Sequence, residues 1–183
     1  MHGGARQDGH RGARRWSHAA VLDRLSKETQ ARPRELARAA ELVDWPSEVA
    51  RREGWVAANA RYHAAQRAQG ATEMAALLAA LGVRPPLPPD TVREVVSAAI
   101  ATFLNTEGVE ADVEPTTDGL AVNVRRCPIF DWVTQPGWPG VTACGCFARR
   151  QGWYDVLGID RDEELVLNRK WDDPLCRVLI HLA

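Results

Sequence analysis

The hydrophobic pattern changes its period near residue 109, and this change constrains the fold more than any other feature. Between Trp16 and Gly108, apolar residues recur every three or four positions, as in TVREVVSAAIATFL, which is typical of amphipathic helices. From Val109 onward apolar and polar residues alternate instead, in VEADVEP, LAVNVRR, ELVLNRK and CRVLIHL, and this predicts strands. A helical segment from about Val141 to Leu157 separates the two pairs of strands. This order predicts an α+β fold, with a helical N-terminal half packed on a small antiparallel sheet.

Glycine and proline residues predict where the helices of the first half end. A long helix is expected to begin at Ser47, a typical N-cap residue, and to end at Gly70, a typical C′ residue. A second, short helix is predicted from Thr72 to Gly82. The four prolines of VRPPLPPD then predict a stiff, extended connector before the last helix of this half.

The length of 183 residues fits one domain with an additional segment. Residues 1–15 are basic and rich in glycine, and we expect a disordered arm. Residues 16–108 form the predicted helical region. Residues 109–183 form the predicted sheet, with its helix and all four cysteines. We expect residues 16–183 to fold as a single domain.

Composition excludes several classes of protein. The formal net charge of −1 argues against a general affinity for nucleic acid, and no apolar run approaches the roughly 18 residues of a membrane span. The first fifteen residues lack the apolar core of a secretory signal, so we expect a cytoplasmic protein with reduced thiols. A small-molecule ligand or substrate is the expected partner, and a homodimer is left open.

Each of the four cysteines lies at a predicted junction. Cys127 ends a strand, Cys144 and Cys146 open a helix, and Cys176 begins the last strand. In an antiparallel sheet crossed by a helix such ends can converge, so we expect Cys144 to approach Cys127 and Cys176. Cys146 is two positions further along and, on a helix, would point well away from Cys144.

Three interpretations of these cysteines remain open. Three or all four thiolates would suit a tetrahedral zinc ion, so the expected cofactor is either none or zinc. Alternatively, Cys144 is a nucleophile whose pKa is lowered by the helix N-terminus and by Arg149, Arg150 or His181. Free cysteines are also common as small buried apolar residues.

Other side chains are candidates for the lining of a pocket or for catalysis. Asp131 follows Cys127 by four positions and would lie near its thiol in a helical turn, which adds Cys127 and Asp131 to Cys144 as catalytic candidates. The candidate ligand-binding residues are mainly aromatic, and large core residues are the alternative interpretation for several of them. They are Tyr62, His63, Trp132, Trp138, Trp153, Trp171 and His181.

Three segments of the C-terminal part resemble a known family. The strand that runs into RRCPIFDW, the helix start TACGCF and the closing hairpin NRKWDDPLCRVLIHL are similar to the L-2-amino-thiazoline-4-carboxylic acid hydrolase-like family. They are similar, more distantly, to the 4-vinyl reductase-type ligand-binding domains, which show a Gly-Asp turn where this chain has WDDPLC. The resemblance covers roughly Val109 to Ala183.

The two resemblances imply different functions. The hydrolase-like family implies addition of water to a cyclic amidine-like carbon, with Cys144 as the first residue to test and Cys127 and Cys176 nearby. We therefore expect a hydrolase acting on a heterocyclic or amide-type substrate. The alternative is a small-molecule binding or sensor module with structural or zinc-binding cysteines, as the second resemblance implies.

Overall fold

The structure, a computed structural model, describes Val21, Arg24, Leu25 and residues 48–105, 108–128, 130, 144–160 and 162–182. Within these residues helices are followed by two strands, a helix and two strands, so the predicted α+β fold is confirmed. The predicted basic arm lies outside the described residues. No helix in the described part of the chain is both long and apolar enough to cross a bilayer.

The described helices of the first half are broken at one glycine that the pattern did not reveal. Helix α1 covers residues 48–53 and stops at Gly54, which has a φ of 87°. Helix α2 covers Trp55–Leu81 and ends, as predicted, at Gly82 in the left-handed conformation. Helix α3 covers Pro89–Ala99 and continues into a buried π-helical turn, Ile100–Leu104.

The predicted helix end at Gly70 is wrong, because α2 continues through it without a break. Gly70 is buried, and a Cβ atom there would lie 1.9 Å from the backbone oxygen of Arg149. Glycine is therefore required here by the close approach of another backbone. The predicted short helix from Thr72 to Gly82 is the second half of α2.

The four strands form one antiparallel sheet in the order β1-β2-β4-β3. Strand β1 covers Glu110–Pro115, β2 Gly119–Arg126, β3 Asp162–Leu167 and β4 Cys176–His181. Both predicted hairpins are present, and β4 pairs with β2 as well as with β3. The last strand of the chain therefore lies inside the sheet.

The core fills the space between the helices and one face of this sheet. Leu120 pairs with Ile180 and Val122 with Val178, and all four side chains are buried in the same cluster as residues of α2 and α3. Alternation places the polar residues of β2 and β4 on the opposite face.

Helix α4 covers Gly145–Leu157 and packs along α2 at very short distance. A Cβ atom on Gly152 would lie 2.0 Å from the backbone oxygen of Arg67, and one on Gly145 would lie 2.7 Å from the Tyr62 ring. This glycine-mediated packing fixes the start of α4 against the middle of α2.

Candidate functional site

Cys144 stands just outside helix α4, at its N-cap position. Its backbone is extended, with φ −68° and ψ 128°, and its side chain makes no capping hydrogen bond. Cys144 is exposed, whereas Cys146, in the first turn of the helix, is half-buried. Because Cys144 is not helical, the angular separation of two helical residues does not apply to this pair. The expectation that the two thiols diverge is wrong.

The thiols of Cys144 and Cys146 instead share a hydrogen bond. Cys144 donates it, which raises the pKa of the Cys144 thiol well above its ordinary value. The same hydrogen bond lowers the pKa of Cys146, burial opposes this, and Arg150 and Arg149 add to the lowering, with a net pKa of about 6. Near neutral pH the pair therefore holds one proton and one negative charge between its two sulfur atoms.

Tyr62 of α2 lies against the backbone between these cysteines. Gly145 leaves room for the phenol, since a Cβ at that position would lie 2.7 Å from the Tyr62 hydroxyl oxygen. Burial raises the pKa of Tyr62 far above its ordinary value, and the charges of Cys146, Cys144 and Cys127 add to this effect. The hydroxyl therefore stays neutral.

Two buried cations anchor the helix that carries the thiol pair. Arg150 is 2% exposed and donates to Glu163 of β3 from Nε at 2.9 Å and from Nη2 at 2.8 Å. The Tyr154 hydroxyl donates to the same carboxylate at 2.7 Å. On the other side of α4, Arg149 binds Glu73 of α2 through a bidentate ion pair. Because both arginines are held by carboxylates, their positions beside Cys146 are fixed.

A cavity of about 610 Å³ opens where α2, α4 and β3 meet. Cys144 lines it, and so does His63, whose Nε2 atom is buried and has no hydrogen-bond partner in the structure. Arg67, which also lines it, is held by Asp155 through hydrogen bonds of 2.6 and 2.9 Å. The full lining is His63, Ala64, Arg67, Cys144, Phe147, Ala148, Gln151, Asp162 and Glu163.

The predicted aromatic candidates lie in different places. Tyr62 borders the thiol pair, but Trp153 is completely buried in the core and donates from Nε1 to Glu73 at 3.2 Å. Trp171 is 63% exposed on a short 3-10 turn, Arg169–Trp171, between β3 and β4. Neither tryptophan lines the cavity described above.

His181 lies near the end of β4, where its Nδ1 is 2.5 Å from the Asp118 carboxylate in the β1–β2 turn. It pairs in register with Asp162, a cavity residue, without lining the cavity itself. Asp131, Trp132 and Trp138 lie outside the described residues. Their assignments stay predictions.

Cys176 is not among the residues that line the cavity. It is half-buried, and its Sγ lies 3.9 Å from Oδ1 of Asn168, next to the β3–β4 turn. Among the residues that the structure describes, no group of three or more His, Cys, Asp or Glu side chains is arranged to hold a metal ion. The zinc alternative for Cys127, Cys144, Cys146 and Cys176 stays a prediction.

Sequence reasoning missed Glu163 and Glu73, which hold the two arginines. Glu73 is an isolated acid and Glu163 stands in a run of acids from Asp162 to Glu164, and only the tertiary fold brings each to its arginine. The adjacent pair Arg149-Arg150 at a helix start beside two cysteines was the available signal, because buried cations require acidic partners.

Comparison with protein-family models, with curated proteins and with solved structures finds no match to this chain. The resemblance to the hydrolase-like family therefore rests on the quoted C-terminal motifs alone.

Proposed function

We propose that this protein is a cysteine-dependent hydrolase of a small cyclic amidine or amide. The observation that carries the proposal is one cavity lined by both an exposed cysteine and a histidine with a free ring nitrogen. The volume of about 610 Å³ is within the usual range for small-molecule sites. A nucleophile and a proton-transferring group in one cavity are the usual requirements for acyl or amidine transfer.

Exposure distinguishes the two cysteines of the pair. Cys144 lines the cavity and is exposed, so its Sγ is the sulfur atom that contacts a substrate. Its proton is already directed at Cys146, which accepts it as the Cys144 sulfur attacks. Cys146 thus acts as the local base, and Arg149 and Arg150 hold its negative charge before the transfer.

The reaction follows from these positions. The Cys144 sulfur bonds to the electrophilic carbon of the C=N or C=O group, and the bond from that carbon to the leaving heteroatom breaks. His63 supplies a proton to the departing heteroatom. Water then attacks the enzyme-bound carbon and gives a proton to His63, and Cys144 leaves as a thiolate that regains its proton from Cys146. The net change is the addition of one water molecule across the cleaved bond.

The test is turnover of a panel of small cyclic amidines, including 2-amino-thiazoline-4-carboxylate, with products identified by mass spectrometry. Cys144→Ala should abolish turnover, and His63→Gln should reduce it by about 10² to 10⁴-fold, the usual contribution of an acid or base. Cys176→Ser is the matched control, since Cys176 does not line the cavity, and it should keep full activity.

Two outcomes would contradict the hydrolase. Full activity in Cys144→Ala would exclude Cys144 as nucleophile. Saturable binding of the panel compounds with no turnover in the unmodified protein would support the small-molecule binding or sensor module instead.

A further inference from the structure

The thiol pair has a second chemical capability that hydrolysis does not require. Only Gly145 separates Cys144, whose backbone is extended just before helix α4, from Cys146 in the first turn of that helix. Two residues apart, Cα atoms span at most about 7 Å, close to the range that a disulfide bridges. Cys144 is exposed at the cavity, so a small-molecule disulfide can reach it.

We propose that Cys144 and Cys146 form a reversible intramolecular disulfide by exchange with a low-molecular-weight disulfide of the glutathione class. The assignment rests on the short span between the two residues, on the extended backbone of Cys144 and on their different exposure. It does not depend on the proposed hydrolase activity.

The exchange balances in two steps. In the first, the Cys144 sulfur, its proton passed to Cys146, attacks one sulfur of the disulfide RSSR, and RS⁻ leaves and takes up a proton. In the second, Cys146 loses its proton to water and attacks the Cys144 sulfur of the mixed disulfide, which expels the second RS⁻. The protein dithiol is oxidised, RSSR is reduced to two RSH, and no other oxidant is required.

The surroundings of Cys146 suit the second step. Arg150 and Arg149 lie close to its sulfur and stabilise a thiolate there, which is the form that attacks. The exposure of Cys144 also makes the product accessible to reducing thiols, and exposed disulfides are the labile ones. The oxidised and reduced forms should therefore interconvert.

Cys127 is the competing partner for Cys144, since its charge also acts on Cys144. A digest distinguishes the two outcomes. Trypsin leaves Cys127, Cys144 and Cys146 in one peptide, whereas chymotrypsin cleaves after aromatic residues and separates Cys127 from the pair at Phe130 and Trp132.

The experiment treats the reduced full chain with oxidised glutathione at neutral pH, blocks remaining thiols with N-ethylmaleimide under denaturing conditions, and maps the chymotryptic peptides. We expect the peptide of Cys144 and Cys146 to lose two hydrogen atoms and to carry no maleimide, while Cys127 and Cys176 are alkylated. Dithiothreitol should restore both thiols. A bridge to Cys127, or a final mixed disulfide on Cys144 in the unmodified protein, would overturn the proposal.

Single variants test the order of the steps. Cys146→Ser should stop at one glutathionyl group on Cys144. Cys144→Ser should be modified at Cys146 at least about tenfold more slowly, because the rate depends on access to the thiol. Equal rates in the two variants would contradict Cys144 as the attacking residue. Cys176→Ser should behave as the unmodified protein, and circular dichroism verifies that each variant is folded.

Discussion

At the scale of single residues, three glycines allow α2 and α4 to approach more closely than any side chain would permit. Gly70 and Gly152 each face a backbone oxygen of the other helix, and Gly145 faces Tyr62. These close contacts place Cys144 and Cys146 beside Tyr62 without a long side chain between them. The position of the thiol pair thus depends on the lack of a Cβ atom at these three glycines.

Gly70→Ala should destabilise the protein by about 1–3 kcal/mol or more, the usual cost of overpacking. The reason is steric, since the new Cβ would lie 1.9 Å from a backbone oxygen. Gly158→Ala is the matched control, because Gly158 has a φ of 66° with no atom within 4 Å of a new Cβ. It should cost only about 1–2 kcal/mol, from the left-handed backbone alone. Urea unfolding of both variants measures the difference, and a smaller loss for Gly70→Ala would contradict the contact.

The reactivity of the thiol pair toward iodoacetamide should rise with pH as Cys146 loses its proton, in the acidic range. With a pKa of about 6 at Cys146, alkylation by iodoacetamide should rise to half its maximum near pH 6 and not near the ordinary cysteine value of about 8.5. In Cys144→Ala the midpoint should move upward, because the S–H donor is lost. The charged and titratable groups that act on Cys146 or lie beside it are Tyr62, Cys127, Cys144, Arg149, Arg150 and Glu163.

A stopped-flow series across pH, with peptide mapping to separate Cys144 from Cys146, gives both midpoints. An unchanged midpoint in Cys144→Ala would show that the hydrogen bond between the thiols does not set the pKa. Cys176→Ser controls for alkylation elsewhere.

At the scale of secondary-structure elements, buried ion pairs join helix α4 to its neighbours. Arg150 joins it to β3 through Glu163, and Arg149 joins it to α2 through Glu73. Both pairs are almost removed from water, so each charge depends on its partner. The start of α4 is thereby fixed from two sides.

Glu163→Gln should reduce the free energy of unfolding by about 3–5 kcal/mol, because it leaves the Arg150 charge buried and unpaired. The double variant Arg150→Met, Glu163→Leu should recover most of this loss, since it removes both charges together. Thermal unfolding of the two variants measures the effect. Equal losses in the single and double variants would contradict an origin in unpaired charge. Arg52→Gln, at an exposed pair with Glu48, should change little.

The contact between His181 of β4 and Asp118 of the β1–β2 turn is a second link between elements, and its strength depends on pH. The hydrogen bond to Asp118 raises the pKa of His181 above 6.5 and lowers the pKa of Asp118 below 3.8. The neighbouring acids Asp162 and Glu164 also raise the pKa of His181. The stabilisation by His181 is fully present below pH 6.5 and is lost as the pH rises through its folded-state pKa. The stabilisation by Asp118 is present above pH 3.8 and is lost as the pH falls.

The link between the β1–β2 turn and β4 should therefore be strongest between these two values. In Asp118→Asn the loss of thermal stability relative to the unmodified protein should be larger at about pH 5.5 than at about pH 8.5. NMR titration of His181 should show its pKa fall in the variant. The same loss at both pH values would rule out a charged pair.

At the scale of the whole molecule, the change of hydrophobic period was sufficient to predict the fold class and all four strands. Strand alternation and turn residues are local signals, so both hairpins could be predicted from the sequence. The helix end at Gly70 was predicted wrongly, because the same residue serves as a C′ glycine and as a site of close backbone contact. Only the contact with Arg149 distinguishes the two uses.

The candidate site was predictable only in part. The cysteines were correctly placed at the ends of elements, since Cys144 precedes helix α4, Cys127 follows β2 and Cys176 begins β4. The contact between Cys144 and Cys146 was not predictable, because it depends on the extended backbone of the N-cap residue. The partners of Arg149 and Arg150 lie 76 and 13 residues away along the chain, where no local pattern connects them.

The strand order has a consequence for the moment at which the sheet can form. Strand β4 follows every other described element in the chain, yet it lies between β2 and β3. Until β4 is in place, the edges of β2 and β3 that it covers have no strand partner. The first hairpin and β3 can therefore join into one sheet only when Cys176–His181 pairs with both.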